Sequence, residues 1–340
     1  MPESLARIIA KVQAGSDLSF DEAASAIDSM MLGEASDSQM AELLVALADK
    51  GETAAEVAGA ATSLRRHMTP IKSSRRGIVD TCGTGGGGST TFNISTTAAI
   101  VAAAAGVPVA KHGNRSITSR SGSADVLAGL GVNIEASVAQ VERCLDDLGI
   151  CFCFAPLQHP SMKHVAQVRR QLGRRTLFNI LGPLANPAAA EFQVLGVGIP
   201  ALRPLLAEAI SILGTTRTFV VSGIDGLGDV TIAGPTNVSE VAVGAVREFQ
   251  WCPADFGQTP QSTQGLAIAS PAESAALVRR VLAGERGAAR DIVILNAAAA
   301  LVAAGTAPDP HIAATRASEA IDSGSADQLL RQLAVLSHRR

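Results

Sequence analysis

Charged side chains are scarce in this sequence. Only 17% of the 340 residues are Asp, Glu, Lys or Arg, the net charge is −3, and no run of one sign occurs. That balance leaves no global basic field for nucleic acid. Long apolar runs are missing too. The longest, Ala98 to Ala110, is shorter than a membrane span and is broken by Gly106 and Pro108. There is no heptad array, low-complexity tract or internal repeat. The five cysteines (Cys82, Cys144, Cys151, Cys153 and Cys252) form no even framework, and Cys151-x-Cys153 has the spacing of neither a zinc knuckle nor a redox Cys-x-x-Cys. The opening Met1-Pro2-Glu3-Ser4-Leu5-Ala6-Arg7 reads as an amphipathic helix start and not as a signal peptide. These absences predict a soluble cytoplasmic protein with neither nucleic acid nor membrane as partner. Against the low charge stands an apolar content of 47%, enough for a sizeable core in one large or two moderate domains.

The densest signal is Gly83-Thr84-Gly85-Gly86-Gly87-Gly88, which follows the apolar run Gly77-Ile78-Val79 and Asp80. Ser89-Thr90-Thr91-Phe92-Asn93-Ile94-Ser95-Thr96 and an Ala-rich helix come next. Bare backbone N–H groups can approach an anion here, and the helix N-terminus behind them adds partial positive charge. The segment therefore predicts a cradle for a phosphorylated ligand. Gly83-x-Gly85-x-x-Gly88 formally matches the dinucleotide-binding pattern, which expects an acidic residue about 20 residues on. The next strand, Val107-Pro108-Val109-Ala110, ends instead in Lys111-His112. A Walker loop is missing its lysine, since Gly88 is followed by Ser89-Thr90. A nicotinamide enzyme and an ATPase or GTPase are both disfavoured. Cys82, beside the loop, is read as a small buried filler, with a nucleophilic role left open.

Residues 3 to about 70 read as wholly helical. Leu5, Ile8, Ile9 and Val12 have helical spacing, with Gly15 as the stop. Ser19-x-x-Glu22, Ser36-x-x-Gln39 and Thr53-x-x-Glu56 are three capping-box patterns, each opening a periodic segment. From residue 77 the pattern becomes strand–helix alternation. Strands are expected at Ile78-Val79, Val107-Val109, Ile150-Phe154, Phe192-Val197 and Thr218-Val221, with helices near 95–105, 122–130, 137–148, 160–172 and 200–213. This is an α/β domain with a mostly parallel sheet flanked by helices. Ligands of such sheets sit beyond the carboxyl ends of the strands. The Gly83 loop, Lys111-His112 and Asp225 all fall there. The Ala-rich tail from about 271 reads as packing. The expected division is a helical domain over 1–72, joined by helices near 160–185, and an α/β domain over 73–340.

Two further segments carry chemistry. Lys111 to Asp125 gathers four potentially cationic groups, several hydroxyls and two glycines, donors of the kind a diphosphate needs. An ordinary solvated loop is the competing reading. In His159 to Thr176, Met162, Val165, Val168 and Leu172 form the apolar side of a helix, and Arg169 lies beside that stripe, where it can reach inward to a carboxylate. The Gly/Pro-punctuated run Phe178 to Pro187 is expected to shape a pocket wall.

Taken in order, Asp80-x-x-Gly83-Thr84-Gly85-Gly86, Phe92 to Thr96, Lys111-His112-Gly113-Asn114-Arg115, Ser121 to Asp125 and Arg175 to Leu184 resemble the anthranilate phosphoribosyltransferase family along nearly the whole chain. The resemblance implies a phosphoribosyltransferase-like fold, also seen in nucleoside phosphorylases, with a small helical domain and a homodimer. It implies transfer of the phosphoribosyl group of 5-phosphoribosyl 1-diphosphate (PRPP) to anthranilate, with Mg2+ as cofactor, in tryptophan biosynthesis. Carried over, it places Gly83, Gly86, Gly87, Thr91, Asn93, Ile94, Ser95, Thr96, Lys111, His112, Gly113, Asn114, Arg115, Ser116, Ile117, Thr118, Ser119 and Ser123 around PRPP. It places Gly83, Asn114 and Arg169 at anthranilate, with His112 and Pro183 lining the channel. Ser95 and Asp229 are the implied metal ligands.

The chain departs from the family pattern twice. Gly87 stands where the family usually has Asp, and Asp225-Gly226-Leu227-Gly228-Asp229 replaces the usual Asp-Gly-Leu-Asp-Glu. One carboxylate is absent and the other is shortened, which puts a second protein-held magnesium in question. A pyrimidine nucleoside phosphorylase, a nucleic-acid-binding paralogue and a non-catalytic subunit are the competing functions.

Overall fold

The computed structural model describes residues 4–85, 90–116 and 120–339. Four helices open the chain: α1 (Leu5–Gln13), α2 (Phe20–Met31), α3 (Asp37–Lys50) and α4 (Ala54–Arg66). All three capping boxes form, with Ser19, Ser36 and Thr53 each accepting from the backbone N–H three residues on. Such caps satisfy helix amides that have no partner inside the helix. Glu56 does more than cap. Its buried carboxylate accepts the Leu18 N–H at 2.9 Å, the Thr53 N–H at 2.8 Å and Lys50 Nζ at 3.1 Å. It thereby ties the start of α4 to the turn before α2.

The α/β part is one seven-stranded sheet in the order β3-β2-β1-β4-β5-β6-β7. The strands are β1 (Val79–Gly83), β2 (Val109–Gly113), β3 (Ile150–Phe154), β4 (Phe192–Gly196), β5 (Arg217–Gly223), β6 (Thr236–Ala242) and β7 (Ala245–Trp251). β1 to β5 pair in parallel, while β6 and β7 run antiparallel. The expected parallel strands are present to within a few residues. The β6–β7 hairpin is an addition that the strand–helix reading left out. Helix Ile94–Ala104 (α5) follows β1 and is buried over most of its length. It packs with the C-terminal helices Ala288–Ala303 and Pro310–Asp322 on one face of the sheet. Those residues form the larger apolar core.

A second apolar core holds α1 to α4 together with Val165, Val168, Leu177, Phe178, Ile180 and Leu184. It continues through helix Leu202–Leu213 onto Leu195 and Val220 of the sheet. The helical bundle is therefore packed on the α/β part both directly, α4 against helix Leu202–Leu213, and through segment 163–184. Among the described residues no helix is long and apolar enough to cross a membrane.

Chain order reverses about β1, with β2 on one side and β4 on the other. At such a switch point the loops leaving adjacent strands diverge and open a crevice at the strands' carboxyl ends. The glycine loop leaves β1 there.

The hairpin carries a local cost. Ala242 pairs with Ala245, so Val243-Gly244 is a two-residue turn with φ of 49° and 78°. Both values suit the turn that matches strand twist, but a β-branched residue is disfavoured at positive φ. Val243 is 90% exposed and gains nothing from packing. Val243→Asn is expected to stabilise the protein by about 1 kcal/mol, read as a raised urea midpoint at unchanged slope.

Candidate active site at the ends of β1 and β2

The site grows from the ends of β1 and β2. Asp80 and Thr81 are buried in β1, and Lys111 and His112 are buried in β2. Lys111 reaches across to β1 and α5, where its ammonium donates to the Thr81 carbonyl and approaches Ser95 Oγ at 3.5 Å. Burial lowers the Lys111 pKa, and Asp80, Cys82 and Asp229 oppose that shift. The two carboxyl groups respond in the opposite sense. Burial raises the pKa of Asp80 against the pull of Lys111, and raises Asp229 to about 7, with Lys111 lowering it and Asp225 adding to the rise. Asp80 also accepts the His112 backbone N–H at 3.2 Å. Thr81, Cys82, Ser95, Asp229 and Asn296 line one small cavity at this point.

Ser95 and Thr96 lie in the first turn of α5, which has no acidic residue and no side-chain cap. The partial positive charge of that end is available to an anion. Thr81 Oγ1 donates to the Ser95 carbonyl at 3.0 Å and anchors this turn to β1. Asn93 is held from the far side. Ser274, fully buried in helix Pro271–Leu282, donates to Asn93 Oδ1 at 2.7 Å and accepts the Asn93 backbone N–H at 3.1 Å. Asn93 Nδ2 then donates to the Ser121 carbonyl at 3.3 Å, joining the two polar loops. Thr91 forms an isolated bridge with Ala267.

The structure sorts the other carried-over positions. Gly83 is exposed at the end of β1, and Gly113 ends β2. Asn114 is exposed, and its carbonyl accepts from Ser123 Oγ at 3.3 Å. Arg115 pairs with Asp125 at 3.1 Å, and the Ser116 N–H donates to the same carboxylate at 2.9 Å. The Ile94 side chain belongs to the apolar core, so only its backbone remains for a ligand. Gly86, Gly87, Ile117, Thr118 and Ser119 lie outside the described residues. Asp225 is occupied within its own loop, accepting from the Leu227 N–H and from Thr231 Oγ1. Cys82 is buried with its thiol pKa raised well above the usual value by burial and by Asp80, which disfavours the nucleophilic thiolate.

A second set of groups adjoins this one through the segment 178–184. Arg169 is half-buried on helix Lys163–Leu172, with its guanidinium 5.6 Å from the centre of the Phe178 ring and its pKa lowered by burial. Arg170, next to it, is exposed. His112 Nδ1 meets the Gly182 carbonyl at 3.1 Å, and its Nε2 meets His159 Nε2 at 3.2 Å. A carbonyl only accepts, so His112 carries its proton on Nδ1 and accepts from His159 Nε2–H. Gln193 Nε2 donates to the Pro183 carbonyl at 2.7 Å and to Cys82 Sγ at 3.3 Å, fastening this wall to β4 and β1.

Magnesium can be tested against these donors. Among the described residues no cluster of three or more His, Cys, Asp or Glu is placed to hold a metal. Asp229 and Ser95 are the hard oxygen donors on the shared cavity. A β-carbon at Gly228 would lie 2.9 Å from the Gly198 backbone nitrogen, so a side chain there requires the backbone to move. The residues fit a magnesium ion whose remaining ligands are water and substrate oxygens.

Comparison with known proteins agrees along the whole chain. Residues 75–327 match the glycosyl transferase family a/b domain, and residues 6–68 match that family's helical bundle domain. The anthranilate phosphoribosyltransferase of Rhodopirellula baltica is 47% identical over 97% of both chains. That of Pelotomaculum thermopropionicum is 50% identical over 96% of this chain and 94% of its own. The crystal structure of the Thermus thermophilus enzyme superposes with a TM-score of 0.92 at 41% identity, covering 98% of this chain and 99% of that one. The Saccharomyces cerevisiae enzyme in complex with PRPP and Mg gives 0.90 at 28% identity over 98% and 97%.

The histidine pair has a pH signature. Burial, reinforced by His159 and Lys111, lowers the His112 pKa to about 3, and burial lowers His159 to about 4. Unfolded histidine titrates near pH 6.5. The unfolded chain therefore binds protons first as pH falls, and the stability due to the neutral pair is complete above about pH 6.5 and is lost towards pH 4. In His159→Gln, the fall of urea-unfolding free energy between pH 6.5 and 4.5 is expected to be shallower by about one proton, or about 1.4 kcal/mol per pH unit. The chain belongs to the anthranilate phosphoribosyltransferases of the glycosyl transferase family.

Proposed function

We propose that this chain transfers the phosphoribosyl group of PRPP to the amine of anthranilate, giving N-(5-phosphoribosyl)anthranilate and diphosphate, in tryptophan biosynthesis. One observation carries the reading: a buried ammonium, Lys111, lies between the Thr81 carbonyl and Ser95 Oγ at the switch point of the sheet, where the glycine-rich segment leaves β1. Family membership supports it. The same reading takes the helical part as residues 1–72 together with 160–185, the assembly as a homodimer and the compartment as the cytoplasm.

In such a transfer, positive charge builds on the ribose while negative charge grows on the departing diphosphate. Stabilising that leaving group is electrostatic work. Lys111, the first turn of α5 and the hydroxyls of Ser95 and Thr96 supply it. Thr91 and Asn93, with Gly113 and Ser123, shape the rest of the PRPP cradle. Magnesium, when bound, neutralises charge on the diphosphate, with Ser95 and Asp229 as its protein ligands. Arg169 and Asn114 hold anthranilate, the first by its carboxylate, so that the amine is kept near the anomeric carbon. His112, neutral through the working pH range, lines the channel without attracting the carboxylate. An aryl amine attacks the anomeric carbon through its own lone pair as the bond to diphosphate breaks. Its surplus proton leaves afterwards to diphosphate or solvent, and no side chain is assigned as a base.

The direct test mixes purified protein with magnesium, PRPP and anthranilate and follows loss of anthranilate fluorescence. Consumption that requires PRPP is expected; folded protein at micromolar concentration that consumes none over hours refutes the assignment. Arg169→Ala is expected to raise the anthranilate KM about 10- to 150-fold, the equivalent of one charge-assisted contact, with the PRPP constant little changed. The reverse pattern moves the carboxylate site elsewhere.

With Gly87 and Gly228 in place of carboxylates, magnesium is expected to arrive with the diphosphate. Calorimetry should show weak or no magnesium binding to the substrate-free protein, together with a large activity loss in Asp229→Ala. Tight binding without substrate overturns this picture.

A further inference from the structure

Asn296 lies in the middle of helix Ala288–Ala303, in an Ala-rich stretch whose other side chains fill the core. It is 4% exposed. A buried amide in an apolar helix is costly unless its groups are satisfied. Here they are satisfied in a particular way. Oδ1 accepts the Val230 N–H at 2.9 Å, and Nδ2 donates to the Val230 carbonyl at 2.9 Å. Nδ2 also donates to the Ile292 carbonyl, one turn back in its own helix, at 2.8 Å. The side chain grips both polar groups of Val230 as a neighbouring strand would.

Val230 follows Asp229 directly, in the loop between β5 and β6. Elsewhere that loop meets the rest of the chain where the Gly228 backbone packs on the end of β4 and where the Ile232 carbonyl accepts the Gln261 N–H, and its other polar groups bond mainly within the loop. Asp225 accepts from the Leu227 N–H and from Thr231 Oγ1, and the Thr231 N–H donates to Thr236 Oγ1. Asn296 ties the loop to the helix layer at the residue next to Asp229. Its side chain also lines the cavity shared by Ser95 and Asp229. Since its amide is already engaged by Val230 and Ile292, Asn296 acts on a ligand through the loop and not by touching it.

We propose that Asn296 is a positioning residue: it fixes Val230 and so aims the Asp229 carboxylate at the magnesium–diphosphate end of the site. The inference rests on the reading of Asp229 as a site carboxylate. A carboxylate on a twelve-residue connection is useful only if its backbone is held, because a misplacement of about 1 Å can cost about 100-fold in rate. Asn296 supplies that hold from a rigid helix.

The test uses the full chain with Asn296→Ser, Asn296→Leu, Asp229→Ala and the double variant Asp229→Ala/Asn296→Ser. Thermal melting and circular dichroism establish which variants are folded. Serine retains one hydrogen-bonding group, so it serves where leucine fails to fold. Kinetics and calorimetric binding of PRPP with magnesium are both measured. Asn296→Ser is expected to weaken that binding, and kcat/KM for PRPP, by about 10- to 100-fold. The anthranilate KM should stay within about twofold, and half-maximal activity should need more magnesium. The double variant should be no worse than Asp229→Ala alone, because both changes remove one function.

An Asn296→Ser protein that melts lower yet keeps wild-type PRPP binding and kinetics overturns the proposal and leaves Asn296 as a packing residue. Losses that multiply in the double variant overturn it as well. If Asp229→Ala keeps wild-type behaviour, Asp229 leaves the site and the proposal falls with it. The calorimetric comparison does not depend on anthranilate turnover, so failure of the transfer reaction is told apart from failure of Asn296.

Discussion

A single buried ammonium organises this molecule. Removing a lysine head group from water costs several kcal/mol unless opposite charge and hydrogen-bond acceptors surround it. Lys111 finds the Thr81 carbonyl and Ser95 Oγ close by, with the carboxyl groups of Asp80 and Asp229 in its field. Those partners come from β1, from α5 and from the loop before β6. The positions of three separate elements are thus bound to one charge. What the cluster offers an anion is the Lys111 ammonium and the acid-free first turn of α5, while the raised pKa values of both carboxyl groups show that negative charge from the protein itself is costly here.

The rest of the architecture supports that point. The chain reversal about β1 opens the crevice, and α5 directs its N-terminal turn there. Segment 163–184 belongs to the helical bundle's core through Val165, Val168 and Phe178, yet touches His112 through Gly182 and Gln193 through Pro183. Packing between the two parts of the chain and the shape of the channel wall are therefore one problem. The C-terminal helices contribute from behind, where Ser274 fixes Asn93 and Asn296 fixes Val230.

Much of this architecture is legible in local sequence chemistry. The capping boxes at Ser19, Ser36 and Thr53 depend on residues three apart, and each formed. The glycine loop and the Lys111-His112 pair announce themselves because each directly follows an apolar strand. The hairpin of β6 and β7 was missed because its turn is Val243-Gly244, which lacks the usual Asn-Gly or Asp-Gly and strains its first residue. Ser274 and Asn296 were also missed. In sequence they are single polar residues in Ala-rich helices, and their partners, Asn93 and Val230, lie 181 and 66 residues away. No period or spacing encodes contacts at that distance. The His112–His159 bond, 47 residues apart, is hidden for the same reason.

Gly196 and Gly228 touch in a way that constrains how this enzyme can change. A β-carbon on Gly196 would lie 1.7 Å from the Gly228 carbonyl oxygen, and one on Gly228 would press on the backbone of Gly198. The end of β4 and the loop carrying Asp229 are thus in backbone-to-backbone contact. An acidic side chain cannot be placed at 228 by one exchange without moving the loop off the strand, and moving it would drag Asp229 and the Val230 clamp along. The number of protein carboxylates at this end of the crevice is therefore a property of two glycines and a loop height together. Placing a second carboxylate there would require all three to be rebuilt.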